Sequence, residues 1–444
     1  MVNLTSFVAA AMLLLAQAAA ASPAQQALMQ AIHQGDPAGI NRALTAGAVL
    51  NQPLADGSLP LAWAVESQNP ALVKLLLDKG ARPDLGDSHL QSFSPLVVAC
   101  QRGEPAIVAA LLEAGAQANN TTVTGVSPLA LCAGNSTAAT VKKLLDQGAN
   151  LEAADNTGQT PLMWAAAKGQ VFNLQLLLSQ GAEVNRKTAK GLTPLFFALR
   201  SGNPEAAELL LDAGADADYI APDGTSAVQM AMYWKQFAIA ERLVQRGVDL
   251  TAYDRNGNQL LHAAIIHNQP QLVAALLAKG ANPNSLTGTS TVVWRYEVNF
   301  TSAPYVSYAR SPLLLAAAHG SAAMMRTLIA AGADIKFRAG DGTNVVLAAA
   351  QNNPDALAFA LSLAPDANVT NKYGQTPLHL LMGYSNTLSN EQTGELFRLL
   401  ASRGARIDIA NKWGQTPLDL ATEEQFRARA EFAEIFKPSQ KVKL

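Results

Sequence analysis

The chain is short of charge. Only 15% of its 444 residues are charged and the net charge is −2, where an average globular protein carries roughly 25% charged residues. No long run of either sign is present, so the basic stripe that marks a nucleic-acid binder is missing. Cysteine is nearly absent too, with Cys100 and Cys132 the whole complement. Two cysteines exclude a disulfide scaffold, and without a CxxC pair there is no thiol-based zinc or redox motif. There is no phosphate loop, no G-x-G-x-x-G after a strand, no H-E-x-x-H and no nucleophile elbow, so no enzyme motif is present. After residue 21 every apolar stretch is cut by Gly, Pro, Asn or a charge. None reaches the ~18–20 residues that a membrane helix needs.

Apolar residues are abundant, at 49%, which implies a large buried surface. At the N-terminus, residues 4–16 (LTSFVAAAMLLLA) form an apolar core followed by small residues, QAAAAS at 17–22. That order is the pattern of an export signal with cleavage after Ala21. Residues 1–21 are therefore expected to be a signal peptide and the mature chain to start near Ser22. Met1 to Thr5 carry no Lys or Arg, so either the terminal amine serves alone or translation starts upstream. The competing reading, a short membrane anchor, is disfavoured by length. No Cys follows the apolar run, which excludes a lipoprotein anchor.

One phrase recurs through the rest of the chain. It reads SPLVVAC at 94–100, SPLALCA at 127–133, TPLMWAA at 160–166 and TPLFFAL at 193–199. Weaker copies, TSAVQMA at 225–231 and NQLLHAA at 258–264, are followed by SPLLLAA at 311–317, TNVVLAA at 343–349, TPLHLLM at 376–382 and TPLDLAT at 416–422. Most intervals are 33 residues. A second landmark, a Leu-rich run closed by Gly, keeps the same period from Gly47 to Gly280 except for one interval of 35, between Gly80 and Gly115, and returns at Gly332 and Gly404. Within a unit, Thr160 is placed to cap a helix and Pro161 sits in its first turn, where no N–H is needed. Gly181 supplies the left-handed residue that ends the second helix.

A 33-residue period with a T-P-L-H-x-A-like phrase resembles the ankyrin repeat, a turn plus two helices. The resemblance covers about 27–436 and implies an all-α repeat solenoid of about 12 helix-turn-helix units. The expected organisation is a signal peptide at 1–21, a repeat domain at 22–436 and a tail at 437–444. No unit buries its faces alone, so the units must stack and the ends must be capped. The resemblance also implies a protein partner, read by the finger turns and by the exposed ends of the first helices.

Two departures from the repeat pattern, one in spacing and one in residue type, suggest where recognition lies. Between Leu260 and Pro312 the interval is 52 residues. In the insert at 285–310, Trp294, Tyr296 and Phe300 alternate with polar residues, the period of a half-exposed strand. Thr301 to Pro304 reads as a turn, and Tyr305 to Tyr308 as a return strand. The expectation is one enlarged β-hairpin finger. It either meets a partner or packs its apolar face on its own solenoid. The second departure is Tyr233-Trp234 at a first-helix end, in a unit with Lys235 where Gly is usual. Trp234 either anchors a partner or fills a gap left by an unusual turn. With Arg200, His267 and His319 at the same helix ends, these residues form the candidate protein-binding set.

His262 and His379 fall at the His of the family phrase, where the resemblance implies a turn-supporting hydrogen bond. His267 and His319 share a register in adjacent units, but no third ligand accompanies them as zinc would require. No metal, cofactor or catalytic residue is therefore expected. Cys100 and Cys132 lie in adjacent units, and taking ~8–10 Å between packed helices against the ~7 Å limit for a disulfide predicts two buried free thiols. The sequence as a whole is read as an exported, bacterial-type, non-enzymatic scaffold in the periplasm that stabilises or inhibits one partner. An immunity protein against a periplasm-acting toxin and a secreted, host-directed effector are the alternatives.

Overall fold

In a computed structural model, residues 22–54, 58–85, 94–254, 256–289, 308–319, 321–350, 354–383, 390–420 and 435 are described. The chain divides into two compact units at Pro222. The first holds six helix pairs: α1 (Pro23–Gln34) with α2 (Pro37–Thr45), α3 (Pro60–Glu66) with α4 (Pro70–Asp78), α5 (Pro95–Arg102) with α6 (Pro105–Glu113), α7 (Pro128–Asn135) with α8 (Ala138–Asp146), α9 (Pro161–Ala167) with α10 (Val171–Ser179), and α11 (Pro194–Ser201) with α12 (Pro204–Asp212). The second holds α13 (Ala227–Tyr233) with α14 (Phe237–Arg246), α15 (Leu260–Ile266) with α16 (Pro270–Ala278), α17 (Pro312–Ala318) with α18 (Ala322–Ala330), α19 (Val345–Ala349) with α20 (Pro354–Leu363), α21 (Pro377–Gly383) with α22 (Asn390–Ser402), and a closing 3₁₀ turn at Pro417–Leu420. No extended strand occurs among the described residues. This is an all-α repeat solenoid, as the phrase and its period predict.

Local chemistry explains the elements. Ser94, Ser127, Thr160, Ser226 and Ser311 each accept a backbone N–H three residues on, at 3.1–3.4 Å. A proline opens most of the first helices, where its missing N–H costs nothing. In each unit the first helices pack in one row and the second helices in another. Counted from the proline of the phrase, or the residue in its place, the fifth position is mostly small, and Ala64, Ala99, Cys132, Ala165, Ala198, Ala231, Ala264, Ala316 and Ala349 are all fully buried there. Small residues at that position let neighbouring first helices approach closely.

Side chains then stitch one pair to the next. Asn119 Nδ2 donates to the Gly148 carbonyl at 2.9 Å, and its Oδ1 accepts from Asn150 N–H at 2.8 Å. Asn51, Asn185 and Asn368 repeat both bonds. Asn284 does so across the long interval, reaching the Gly332 carbonyl at 2.9 Å and Asp334 N–H at 2.7 Å. The finger turns are joined as well, by Asn156 N–H to Thr124 O at 3.0 Å in the first unit and Lys372 N–H to Asp341 O at 2.7 Å in the second. The insert therefore leaves the stack in register. At its base, Thr287 N–H donates to Arg310 O at 3.0 Å and Arg310 N–H to Thr287 Oγ1 at 2.9 Å. The hairpin expected between them falls on 290–307, outside the described residues.

One expectation is overturned. Cys100 and Cys132 are not free thiols; they form a disulfide with a Cα–Cα distance of 4.5 Å, and both are fully buried. The error was to equate helix-axis spacing with Cα spacing. Cα atoms lie on a cylinder of ~2.3 Å radius, so residues that face each other come two radii closer, to roughly 4–5 Å at an axis distance of ~8–10 Å. Cys132 stands at the small fifth position, counted from Pro128, on a helix that packs directly against the one carrying Cys100. Closing a loop across this sequence separation of 32 restricts the unfolded chain by ~3–4 kcal/mol. Thiol titration of the denatured, unreduced protein is expected to find no free thiol, and reduction to lower the melting temperature. A count of two thiols would contradict the assignment.

Candidate functional site

The first-helix ends of the second unit gather the aromatic and titratable candidates. Trp234 caps α13 and is 47% exposed. Lys235 follows it with φ of +56°, and Gln68 and Asn268 adopt the same left-handed turn at 55° and 52°. Glycines hold this position elsewhere, as at Gly169 with φ of 62°. A side chain in that region costs roughly 1–2 kcal/mol, but the turn itself is the ordinary one. Half-buried Tyr233 lines a cavity with His267 and with Asp254, Asn256 and Asn258 of the neighbouring finger. His267 stacks obliquely on Phe237, with ring centroids 5.8 Å apart. Its pKa is lowered by burial and then by the Lys235 charge. Burial also lowers the pKa of His319, and the neighbouring His267 lowers it further.

The other candidates lie elsewhere. Arg200 is exposed in the last turn of α11, in the first unit. Trp294, Tyr296, Phe300 and Tyr305 lie outside the described residues. Tyr308 packs along the fingers: its ring lies against Gly340, and Lys372 Nζ sits 4.1 Å from the ring centroid and contacts the hydroxyl. Lys372 also lies 4.9 Å from the Tyr373 ring, which stacks on the exposed Trp413 at 5.7 Å. The result is a cation–aromatic ladder on the finger turns. Among the described residues no three His, Cys, Asp or Glu side chains are grouped to hold a metal ion.

Sequence reasoning passed over a row in the first unit. Counted from its proline, the fourth position of the phrase carries Trp63, Val98, Leu131, Trp164 and Phe197 on successive stacked first helices. Trp63 stacks on His33 at 4.5 Å, and the indole N–H of Trp164 is buried without a partner. The signal was there: TPLMW and TPLFF place large aromatics where a strict core face would not need them.

His262 and His379 act as caps with a second bond. Gln259 N–H donates to His262 Nδ1 at 3.1 Å, and His262 Nε2 lies 3.1 Å from the Ser285 carbonyl. At His379 the partners are Thr376 N–H at 3.1 Å and the Gln415 carbonyl at 2.9 Å. Both patterns require Nδ1 to accept and Nε2–H to donate, which is the neutral ring. Each histidine ties its own turn to the next finger. Gln229 and Asp419 take the same position and accept the equivalent N–H of Ser226 and Thr416 at 2.9 and 2.8 Å.

Comparison with known proteins agrees with this geometry. A family model for ankyrin repeats (3 copies) matches residues 28–122, 96–188, 129–221, 174–254 and 195–287, together more than half of the chain. A curated relative, the mouse ankyrin repeat and SOCS box protein 16, is 33% identical over 94 residues. That stretch is 21% of this chain and 21% of the mouse protein, so the similarity covers about a fifth of the relative's length.

Burial lowers the pKa of both His262 and His379 from 6.5, against the smaller opposing effect of the carbonyl bond. The unfolded chain therefore takes up protons first as pH falls. Stability is complete above about pH 6.5 and declines as pH drops below it. The melting temperature should fall between pH 7.5 and 5.5, and His262→Gln with His379→Asn should shrink the fall. A flat profile in the unsubstituted protein would contradict the neutral-ring assignment.

Proposed function

The chain belongs to the ankyrin-repeat family, and on that premise we propose that it is an exported, periplasmic scaffold that binds one partner protein and stabilises or inhibits it. Ankyrin repeats are generally protein–protein interaction modules. Two further features support export. The first 21 residues have the order of a secretion signal, and the only two cysteines are bonded to each other, a pairing that persists in oxidising compartments. Among the described residues no helix is long and apolar enough to cross a membrane.

The observation that carries the binding reading is the exposed indole of Trp234 at a first-helix end, adjoining Tyr233, which lines a cavity with His267. Large aromatics at the centre of an interface commonly cost ~2 kcal/mol or more when truncated. The chain from Ser22 onward, used as bait in a periplasmic extract, should capture one partner. Trp234→Ala should weaken capture about 30-fold with little change in melting temperature. Phe172→Ala, which truncates a 76% exposed side chain on the second-helix row, should leave capture intact. Equal capture by all three proteins, or none by the unsubstituted chain, would overturn the reading.

A further inference from the structure

The cavity beside Tyr233 has a composition that selects its occupant. It measures about 130 Å³, close to the ~150 Å³ apolar cavity that accommodates benzene. Met232, Leu260, Ala263 and Ile266 supply apolar lining. Gln229 also lines it and is only 4% exposed. Its Oε1 is committed to Ser226 N–H at 2.9 Å, which fixes the amide's orientation, while its Nε2 is buried with no hydrogen-bond partner. At His262 and His379 the corresponding second nitrogen bonds a carbonyl further along the chain, at 3.1 and 2.9 Å. Gln229 makes no such bond. An unpaired buried donor is destabilising, and a ligand bringing an acceptor would recover that loss.

We propose that this cavity receives one tyrosine side chain of the bound partner, its ring on the apolar lining and its hydroxyl oxygen accepting from Gln229 Nε2. This rests on the partner-binding reading above and adds to it the chemistry of the contact. Size and polarity select tyrosine. Serine and threonine leave the space unfilled, phenylalanine and leucine leave the donor unpaired, and the indole of tryptophan is larger and brings only a donor. The hydroxyl proton then faces the polar side of the cavity, where Asp254 and Asn258 stand.

The test uses N-acetyl-tyrosinamide as probe on the full chain from Ser22, with N-acetyl-phenylalaninamide and N-acetyl-leucinamide beside it, binding being read by titration calorimetry and saturation-transfer NMR. The tyrosine amide should bind saturably and about fivefold more tightly than the phenylalanine amide, the usual worth of one net hydrogen bond. Gln229→Leu should erase that preference and retain binding of the phenylalanine amide. Ala263→Trp should abolish both. The fold accepts tryptophan at this register, since Trp63 and Trp164 occupy it in other units. Melting curves on both variants separate loss of the site from loss of the fold. Equal affinity for the tyrosine and phenylalanine amides, no saturable binding at millimolar concentration, or a tyrosine preference that survives in Gln229→Leu would overturn the proposal. Partner capture without amide binding would overturn the tyrosine site and leave the scaffold reading standing, whereas amide binding without capture would do the reverse.

Discussion

Adjacent helix pairs meet through a strip of small, fully buried residues, and the rest of the molecule is arranged around that contact. Ala99, Ala165, Ala231 and Ala316 are among the residues that hold it. A helix pair of this size leaves one face of each helix uncovered, so most of its apolar burial comes from its neighbours. The asparagine and finger-turn bonds then fix the angle and register of each step. They satisfy the open carbonyl at the end of one second helix and an amide just beyond it, groups that would otherwise rely on water. Stability in such a stack resides between units, which leaves the outer ends of the first helices free to vary in chemistry.

That freedom is used unevenly. In the second unit one step carries Tyr233, Trp234 and Lys235, and the histidine of the phrase is replaced by Gln229. The glutamine keeps the cap and leaves its second nitrogen without a partner. The same substitution thus preserves the turn and leaves a buried donor in the lining of the cavity beside it. The disulfide shows the other side of the constraint: only where backbones approach this closely do two cysteines in consecutive units come within bonding range.

Most of the fold was legible in the sequence because its determinants are periodic. The proline, the capping Ser or Thr and the closing glycine recur at fixed spacing, and each has a local physical effect that does not depend on distant contacts. The disulfide was missed because it depends on which faces of two helices oppose each other, a matter of rotation about the axis that helix spacing does not contain. The row Trp63, Val98, Leu131, Trp164 and Phe197 was missed for a related reason: as letters they extend the apolar phrase, and only stacking aligns them. Trp234 stood out in the sequence because two aromatics at a helix end break the pattern. The cavity beside Tyr233 could not be read, since residues from 229–233 and from 254–267 meet there only in the fold.

The central claim is that recognition elements are carried on a stack whose register they do not determine. Replacing residues 290–307 with a short Gly/Ser bridge, while keeping Thr287 and Arg310, tests it most directly. The readouts are the melting temperature and hydrogen-exchange protection of the Asp334 amide, which is bonded to Asn284 across the insert at 2.7 Å. The account predicts a shift under about 2 °C and a still-protected amide. A fall of several degrees together with loss of that protection would show that the insert holds the stack in register, and would contradict it.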